Sequence, residues 1–238
     1  MYELDVLMLT NTANDEIYKM TSEAVNSLRA SEGLRNANIV LLESNKESDY
    51  KFDVDQYIIP EIDFNYNAYL NIGYKYCNGA YTCVSNNDII FSETWWTKMK
   101  SAFLKYNLDA ASPKSTMPVQ AHNNQSDYLK HYYTPDSLVK IEIKTYSFAG
   151  WCLTMTAETR DWLFPLDEQF IHYHQHLDIM MRLQEKGIKH GFVAGSKMHH
   201  YGNKSSALLS EGQRKNLVNS RRLFDKKWAG YDMTFMNT

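Results

Sequence analysis

Apolar residues fall along this chain in two rhythms. Asp5-Val-Leu-Met-Leu-Thr10 is a continuous apolar run, the mark of a strand covered on both faces. A polar turn follows at 11–14, and Asn14 can cap a helix whose apolar positions Ile17, Met20, Ala24 and Leu28 recur at helical spacing. Gly33 ends that helix. Strands are expected at Asn38–Glu43 and at Gln56–Ile59, the latter stopped by Pro60. The next helix is read over Asp63–Asn78, with Phe64, Ala68, Ile72 and Tyr76 on one face, Asn67 and Asn71 on another, and Gly79 as its stop. A strand at Ala80–Val84, a helix at Glu93–Tyr106 and a short strand at Asp109–Ser112 follow.

This alternation predicts an α/β fold, a largely parallel sheet with helices on both faces. Residues 113–146 lose periodicity and carry turn formers (Pro113, Pro118, Asn123-Asn124, Pro135-Asp136), so hairpins and loops are expected there. Strand character returns at Phe148–Thr156, and Thr156 can cap a turn over Ala157–Leu163. A helix at His174–Lys186 ended by Gly187, a strand at Lys189–Gly195 and a basic amphipathic helix at Glu211–Trp228 complete the pattern. No repeat, low-complexity tract or linker divides the 238 residues, which are read as one domain.

Composition narrows the classes. With 44% hydrophobic residues the chain can bury a sizeable core, and a net charge of −3 gives no polyelectrolyte signal. Three cysteines, Cys77, Cys83 and Cys152, form no CxxC and are expected as free thiols in a reducing compartment. No basic leader and no membrane-length apolar stretch is read, so a soluble cytoplasmic protein is expected.

The chemistry centres on Val84-Ser-Asn-Asn-Asp88-Ile-Ile-Phe91, where a strand opens into a polar turn ending in one carboxylate. A carboxylate at the carboxyl end of a buried strand can hold a divalent cation against a ligand's phosphates. It can equally just end the strand.

Several short patterns, in order over roughly residues 5–206, resemble the family 2 glycosyltransferases. They are the polar turn Thr10-Asn11-Thr12; Glu43-Ser44-Asn45 after the second strand; Asn67-Ala-Tyr-Leu-Asn71-Ile-Gly73; and Ser85-Asn86-Asn87-Asp88, like a DxD motif that keeps only its last acid. Later come Leu166-Asp167-Glu168-Gln169-Phe170, then Asp178-Ile-Met-Met-Arg182-Leu-Gln-Glu-Lys-Gly187, and His200-Tyr-Gly202-Asn-Lys-Ser205. One departure stands out. Where the family has an acidic pair before the helix, this chain has Gln175 and His176.

The resemblance implies a three-layer α/β/α GT-A (Rossmann-like) fold with a mostly parallel mixed sheet. Residues 1–112 would form the nucleotide-sugar half, 113–206 the acceptor and catalytic half, and 207–238 the basic end. It implies transfer of a sugar from a nucleotide-diphosphate sugar, with UDP as the default. Mn²⁺ or Mg²⁺ would be held by Asp88 and His200, and an imidazole favours Mn²⁺. His199 is adjacent and could exchange roles with His200. Thr10, Asn11, Glu43, Asn45, Asn71 and Asn87 would line the donor pocket, although such residues are also common in turns and caps.

An inverting reaction needs a base for the acceptor hydroxyl. His176 comes first and Asp178 second, and Asp178 could instead pair with Arg182 one turn on. A retaining enzyme would need no such base. Asp167 and Glu168 would position the acceptor, and Trp151 would stack on it or sit in the core. The expected acceptor is a saccharide or, given the basic last helix with Arg214, Lys215, Arg221, Arg222, Lys226 and Lys227, a hydroxymethylated base in viral DNA. Two rival readings remain at this point. One is a non-catalytic nucleic-acid- or carbohydrate-binding protein on the same scaffold. The other is a zinc hydrolase built on His172, His174 and His176.

Overall fold

The computed structural model describes residues 2–116, 138–140, 150–202 and 211–231. In chain order the elements are β1 (Leu4–Thr10), α1 (Asp15–Ala30), β2 (Asn38–Glu43), β3 (Gln56–Ile58), α2 (Tyr66–Tyr74), β4 (Tyr81–Asn86), β5 (Ile89–Phe91), α3 (Trp95–Tyr106) and β6 (Ala110–Ser115). Then come β7 (Leu138–Lys140), β8 (Cys152–Thr156), α4 (Ala157–Leu163), α5 (Gln175–Lys186), β9 (His190–His200) and α6 (Glu211–Lys227).

One mixed sheet runs β3-β2-β1-β4-β8-β6-β9-β5, with β7 also on β9. Its first four strands are parallel, while β8 enters antiparallel between β4 and β6. The continuous apolar runs are explained by burial on both faces. In β1 and β2, Val6, Met8, Ile39 and Leu41 join the core under α1 and α3. Leu7, Val40 and Leu42 join the core under α2, α4, α5 and α6. Successive side chains of a strand point to opposite faces, so a strand between two helical layers must be apolar at every position.

Several local expectations hold. The Asn14 side chain accepts from the Ile17 amide at 3.1 Å, and the Thr156 hydroxyl accepts from Thr159 N at 3.3 Å, so both cap helices. The helix of residues 63–78 is shorter than read from sequence, and it turns differently. Phe64 and Tyr76 are exposed, whereas Asn67, Ala68, Tyr69, Leu70 and Gly73 are buried. Close approach decides this. A Cβ on Gly73 would meet Leu42 Cδ1 at 2.8 Å and Leu7 Cδ2 at 2.9 Å, so the glycine face lies on the sheet and takes the asparagines with it.

One strand and the end of another escaped the sequence pattern. β5 is a three-residue strand directly after Asp88, and β9 runs on from 195 to His200 because β5 pairs antiparallel with its end, Ile89 opposite His200. The register of β6 on β9 shifts between Pro113 and Lys114, where proline cannot donate to the ladder. Most of the 113–146 loop expectation, the start of the 148–156 strand, the Arg214 side chain and residues 203–205 lie outside what the structure describes.

Candidate active site

The carboxyl ends of β1, β2 and β4 converge on one polar network. Glu43 is fully buried, and its Oε1 accepts from Thr12 N at 3.0 Å and from Asn45 N at 2.7 Å. One carboxylate thus ties together the loops after β1 and β2, and Asn45 Nδ2 closes the ring by donating to Thr12 O at 2.8 Å. Tyr57 OH, 3.4 Å from Glu43 Oε2, is pushed above its ordinary pKa by burial and by that carboxylate.

Thr10 belongs to a hydroxyl cluster. Its Oγ1 is 3.1 Å from both Thr12 Oγ1 and Thr21 Oγ1, and Asn87 Nδ2 donates to Thr21 at 2.8 Å and to Thr10 at 3.2 Å. Thr21 and Tyr57 were not singled out from sequence, and Thr12 only as part of the polar turn at 10–12. Thr21 left a signal, being a polar residue on the buried face of α1 between Ala24, Val25 and Leu28. Asn11 is exposed at the strand's end.

Asn87 and Asp88 form the bend between β4 and β5. Asp88 is only 6% exposed, and its Oδ1 is buried with no hydrogen bond. Nε2 of His200 stands 3.2 Å from that oxygen, at an angle too poor for a hydrogen bond. An orphaned carboxylate oxygen facing an imidazole nitrogen is a costly arrangement unless something else engages both atoms. Carboxylate oxygen and imidazole nitrogen are suitable donors for Mn²⁺, and no group of three metal-binding side chains occurs among the described residues. The pair therefore fits a cation that takes its remaining ligands from the diphosphate of a donor and from water.

Strand alternation separates the two adjacent histidines. His199 packs edge-on against Tyr201, with its Nδ1 3.4 Å from Thr116 Oγ1, while His200 faces Asp88. Trp151 stacks on the His200 ring at 4.9 Å and 20°, and its carbonyl accepts from Asn86 N at 2.9 Å. Trp151 is thus a wall behind His200, and the stack fixes the imidazole's plane.

A second group of sequence-predicted residues has other partners. Asn71 was expected to face the nucleotide. Its amide instead grips the acidic segment, donating to Leu166 O at 3.0 Å and Glu168 Oε1 at 2.9 Å and accepting from Leu166 N at 2.7 Å. Asn67 Nδ2 donates to Asp167 O at 2.7 Å.

Asp178 is 1% exposed and turned away from solvent. Its Oδ1 accepts from Trp228 Nε1 at 2.8 Å, and Lys227 Nζ lies 2.9 Å away. A buried carboxylate saturated by an indole and an ammonium is a poor general base. The expected partner Arg182 lies instead over the Trp162 ring at 5.5 Å. Asp167 also pairs with Lys227, at 2.7 Å. Burial alone would raise its pKa, but the ammonium and the Gln169 donors outweigh it and leave Asp167 below the ordinary carboxylate value.

His176 lies near the start of α5 and presses on Gly150, where an added Cβ would come 2.9 Å from the ring. Gly150 precedes Trp151, so His176 and His200 flank the same two residues. His172, His174 and His176 do not converge as a zinc site. Residues 172–174 are not a strand, and the three side chains lie against Tyr66 and Tyr173, Phe224, and Gly150 respectively. Burial lowers the pKa of His172 and, with help from Arg221, that of His174.

A larger open cleft of about 970 Å³ lies at the other end of the sheet, between α1 and the 33–37 turn, lined by Glu3, Arg29, Arg35 and Asp55. Arg29 there is already engaged by Asp55 at 2.7 Å, and none of the residues discussed above lies in it.

No family model matches the chain, and no curated protein matches it. Solved structures do. The S. aureus TarS 1–349 structure superposes with a TM-score of 0.68 at 12% identity, covering 100% of this chain and 68% of that one. TarS 1–349 in complex with UDP-GlcNAc gives 0.65 at 14% identity, covering 100% and 69%. The mannosyltransferase PcManGT from Pyrobaculum calidifontis, in complex with GDP-Man and Mn²⁺, gives 0.57 at 12% identity, covering 86% and 58%. Against the longer TarS structure this chain spans 41% of the length. The chain therefore has the GT-A glycosyltransferase fold.

Proposed function

We propose that the protein is a metal-dependent glycosyltransferase that moves a sugar from a nucleotide-diphosphate sugar to an acceptor hydroxyl, with inversion. The observation that carries this reading is the buried, unbonded Asp88 oxygen beside His200, at the end of β4 on a GT-A fold. UDP is the preferred nucleotide, by analogy with structures of the same fold that hold UDP or UDP-GlcNAc.

Asp88 and His200 would hold Mn²⁺, and Trp151 keeps the imidazole oriented for it. The bound ion would supply Lewis-acid stabilisation for the negative charge of the departing diphosphate. Glu43 shapes the donor pocket by fixing the two loops that carry Asn11 and Asn45. His176 takes the acceptor's proton: its ring lies against Gly150, beside the Trp151–His200 stack, and an imidazole suits proton transfer near neutral pH. Asp167 and Glu168, held by Lys227 and Asn71, shape the acceptor side. Of the acceptors considered, a saccharide is favoured over DNA. Lys227 is spent on Asp167 and Asp178, and Arg221 on Asp225 at 2.9 Å, which leaves the last helix a poorer phosphate-binding stripe than its sequence suggests.

The test is a thermal-shift titration with UDP and GDP, with and without Mn²⁺. Nucleotide at a hundredfold its dissociation constant should stabilise by about 2.7 kcal/mol, only when metal is present, and Asp88→Ala should abolish the effect. Equal stabilisation of that variant defeats the metal assignment. Nucleotide binding without any release of UDP from UDP-sugars, over a panel of acceptors, would turn the reading to a binding protein.

A further inference from the structure

Just before α5, Tyr173 and His174 adopt φ values of +71° and +58°. Two consecutive non-glycine residues in the left-handed region cost about 1–2 kcal/mol each, and such strain gathers where a site must be held in one shape. Here it holds a layered aromatic stack. His172 lies between Tyr173, at 4.2 Å and 15°, and Tyr66, at 6.3 Å and 28°. Phe64 meets the His172 ring edge-on at 5.6 Å and 68°.

The stack is firmly anchored. Ser220 Oγ of α6 donates to His172 O at 2.7 Å, and Tyr66 N donates to Ile171 O at 2.8 Å. It is also partly open. Phe64 is 38% exposed, with Ile62 at 46% and Ile171 at 42% nearby in the chain. A strained turn that holds a half-buried tyrosine beside the exposed Phe64 has no evident structural return, because burying the same rings fully would be more stable.

Position adds the second argument. The strained turn leads within two residues to His176, which touches the Gly150–Trp151 wall behind His200. An aromatic face beside a sugar-transfer centre suits a pyranose ring, whose C–H-bearing face packs on π-systems while its hydroxyls stay hydrated. We infer that Tyr173 and Phe64 form the acceptor subsite, a stacking platform for a pyranoside that presents its hydroxyl toward His176. This inference rests on the glycosyltransferase reading above.

The experiment is saturation-transfer NMR on the full chain with UDP and Mn²⁺. The probes are methyl glycosides of glucose, galactose, mannose and N-acetylglucosamine. At least one should bind, with saturation concentrated on the protons of one sugar face. Tyr173→Ala and Phe64→Ala should each weaken it about tenfold, leaving the Mn²⁺-dependent UDP thermal shift intact. Tyr173→Gly should lose the sugar as Tyr173→Ala does while melting higher than that alanine variant, since glycine accepts the positive φ. If wild type binds no nucleotide, the glycosyltransferase reading falls and this one with it. If nucleotide binds but no pyranoside does, or both alanine variants bind the sugar as wild type does, the platform alone is overturned. If the alanine variants lose nucleotide as well, Tyr173→Phe decides. Restoration of both ligands supports the platform, and failure to restore the sugar overturns it.

Discussion

At the residue scale, one carboxylate and one glycine carry the sharpest consequences. Glu43 is buried and accepts two backbone amides from different loops. Both amides bond Oε1, so Glu43→Gln removes the charge from both hydrogen bonds even with its carbonyl oxygen in that place, at a cost of about 1–3 kcal/mol. Urea denaturation should read that loss, and UDP affinity should fall with it as the two loops loosen. Gly150 is a contrasting case. Its substitution by alanine drives a methyl into the His176 ring, so turnover should drop steeply while the unfolding midpoint moves little, as kcat and thermal melting measured together would report. Titration gives a third residue-level prediction. Burial holds His172, His174 and His190 below their ordinary value of 6.5. Each binds fewer protons folded than unfolded, so stability should be level above pH 7 and fall as pH drops below 6.5 toward the folded values. Melting temperatures between pH 7.5 and 5.5 should show this slope, and His190→Gln should reduce it by the share of that one histidine.

At the element scale, α6 acts as a clamp on the acidic segment rather than as a free basic face. Ser220, Phe224, Lys227 and Trp228 lie along its inner stripe and reach His172, His174, Asp167 and Asp178. Lys227→Met would leave a 2%-exposed Asp178 side chain without its ammonium. Since Lys227 is itself partly wet, the expected cost is about 2–3 kcal/mol, at or below the lower end for a broken buried pair. Adding Asp178→Asn to that variant should recover part of the loss, and a double-mutant cycle by urea denaturation measures the coupling. The buried asparagine face of α2 follows the same logic of partnership. Asn67 is buried and Asn71 half-buried because they hydrogen-bond the 166–168 segment, which an apolar residue at either place could not do.

At the scale of the whole molecule, the two helical layers are not equivalent. The layer of α1 and α3 packs one face, with α1 meeting β5 and α3 lying on β6 and β9, while α2, α4, α5 and α6 cover the opposite face and carry the acidic segment. Removing α6 by ending the chain at residue 210 would uncover Phe170, Met180 and the Asp178 carboxylate together. The truncated protein should lose its cooperative unfolding transition by circular dichroism, whereas the full chain keeps it. No helix among the described residues is long and apolar enough to cross a membrane.

The chain's own pattern determined the layered α/β architecture, because strands buried on both faces must be continuously apolar and helices must keep a periodic stripe. It also determined the helix caps at Asn14, Thr156 and Gly187 and the position of Asp88 at a strand's end, which depend on neighbours only a few residues away. Tertiary structure alone decided what those residues face. That His200 rather than His199 meets Asp88 depends on β5, three residues long and too short to leave a periodic signal, pairing with the end of β9. That Asp178 is buried against α6 depends on a tryptophan fifty residues away in sequence. Such contacts arise from chain crossings over long separations, and no local rhythm of hydrophobic and polar residues encodes them.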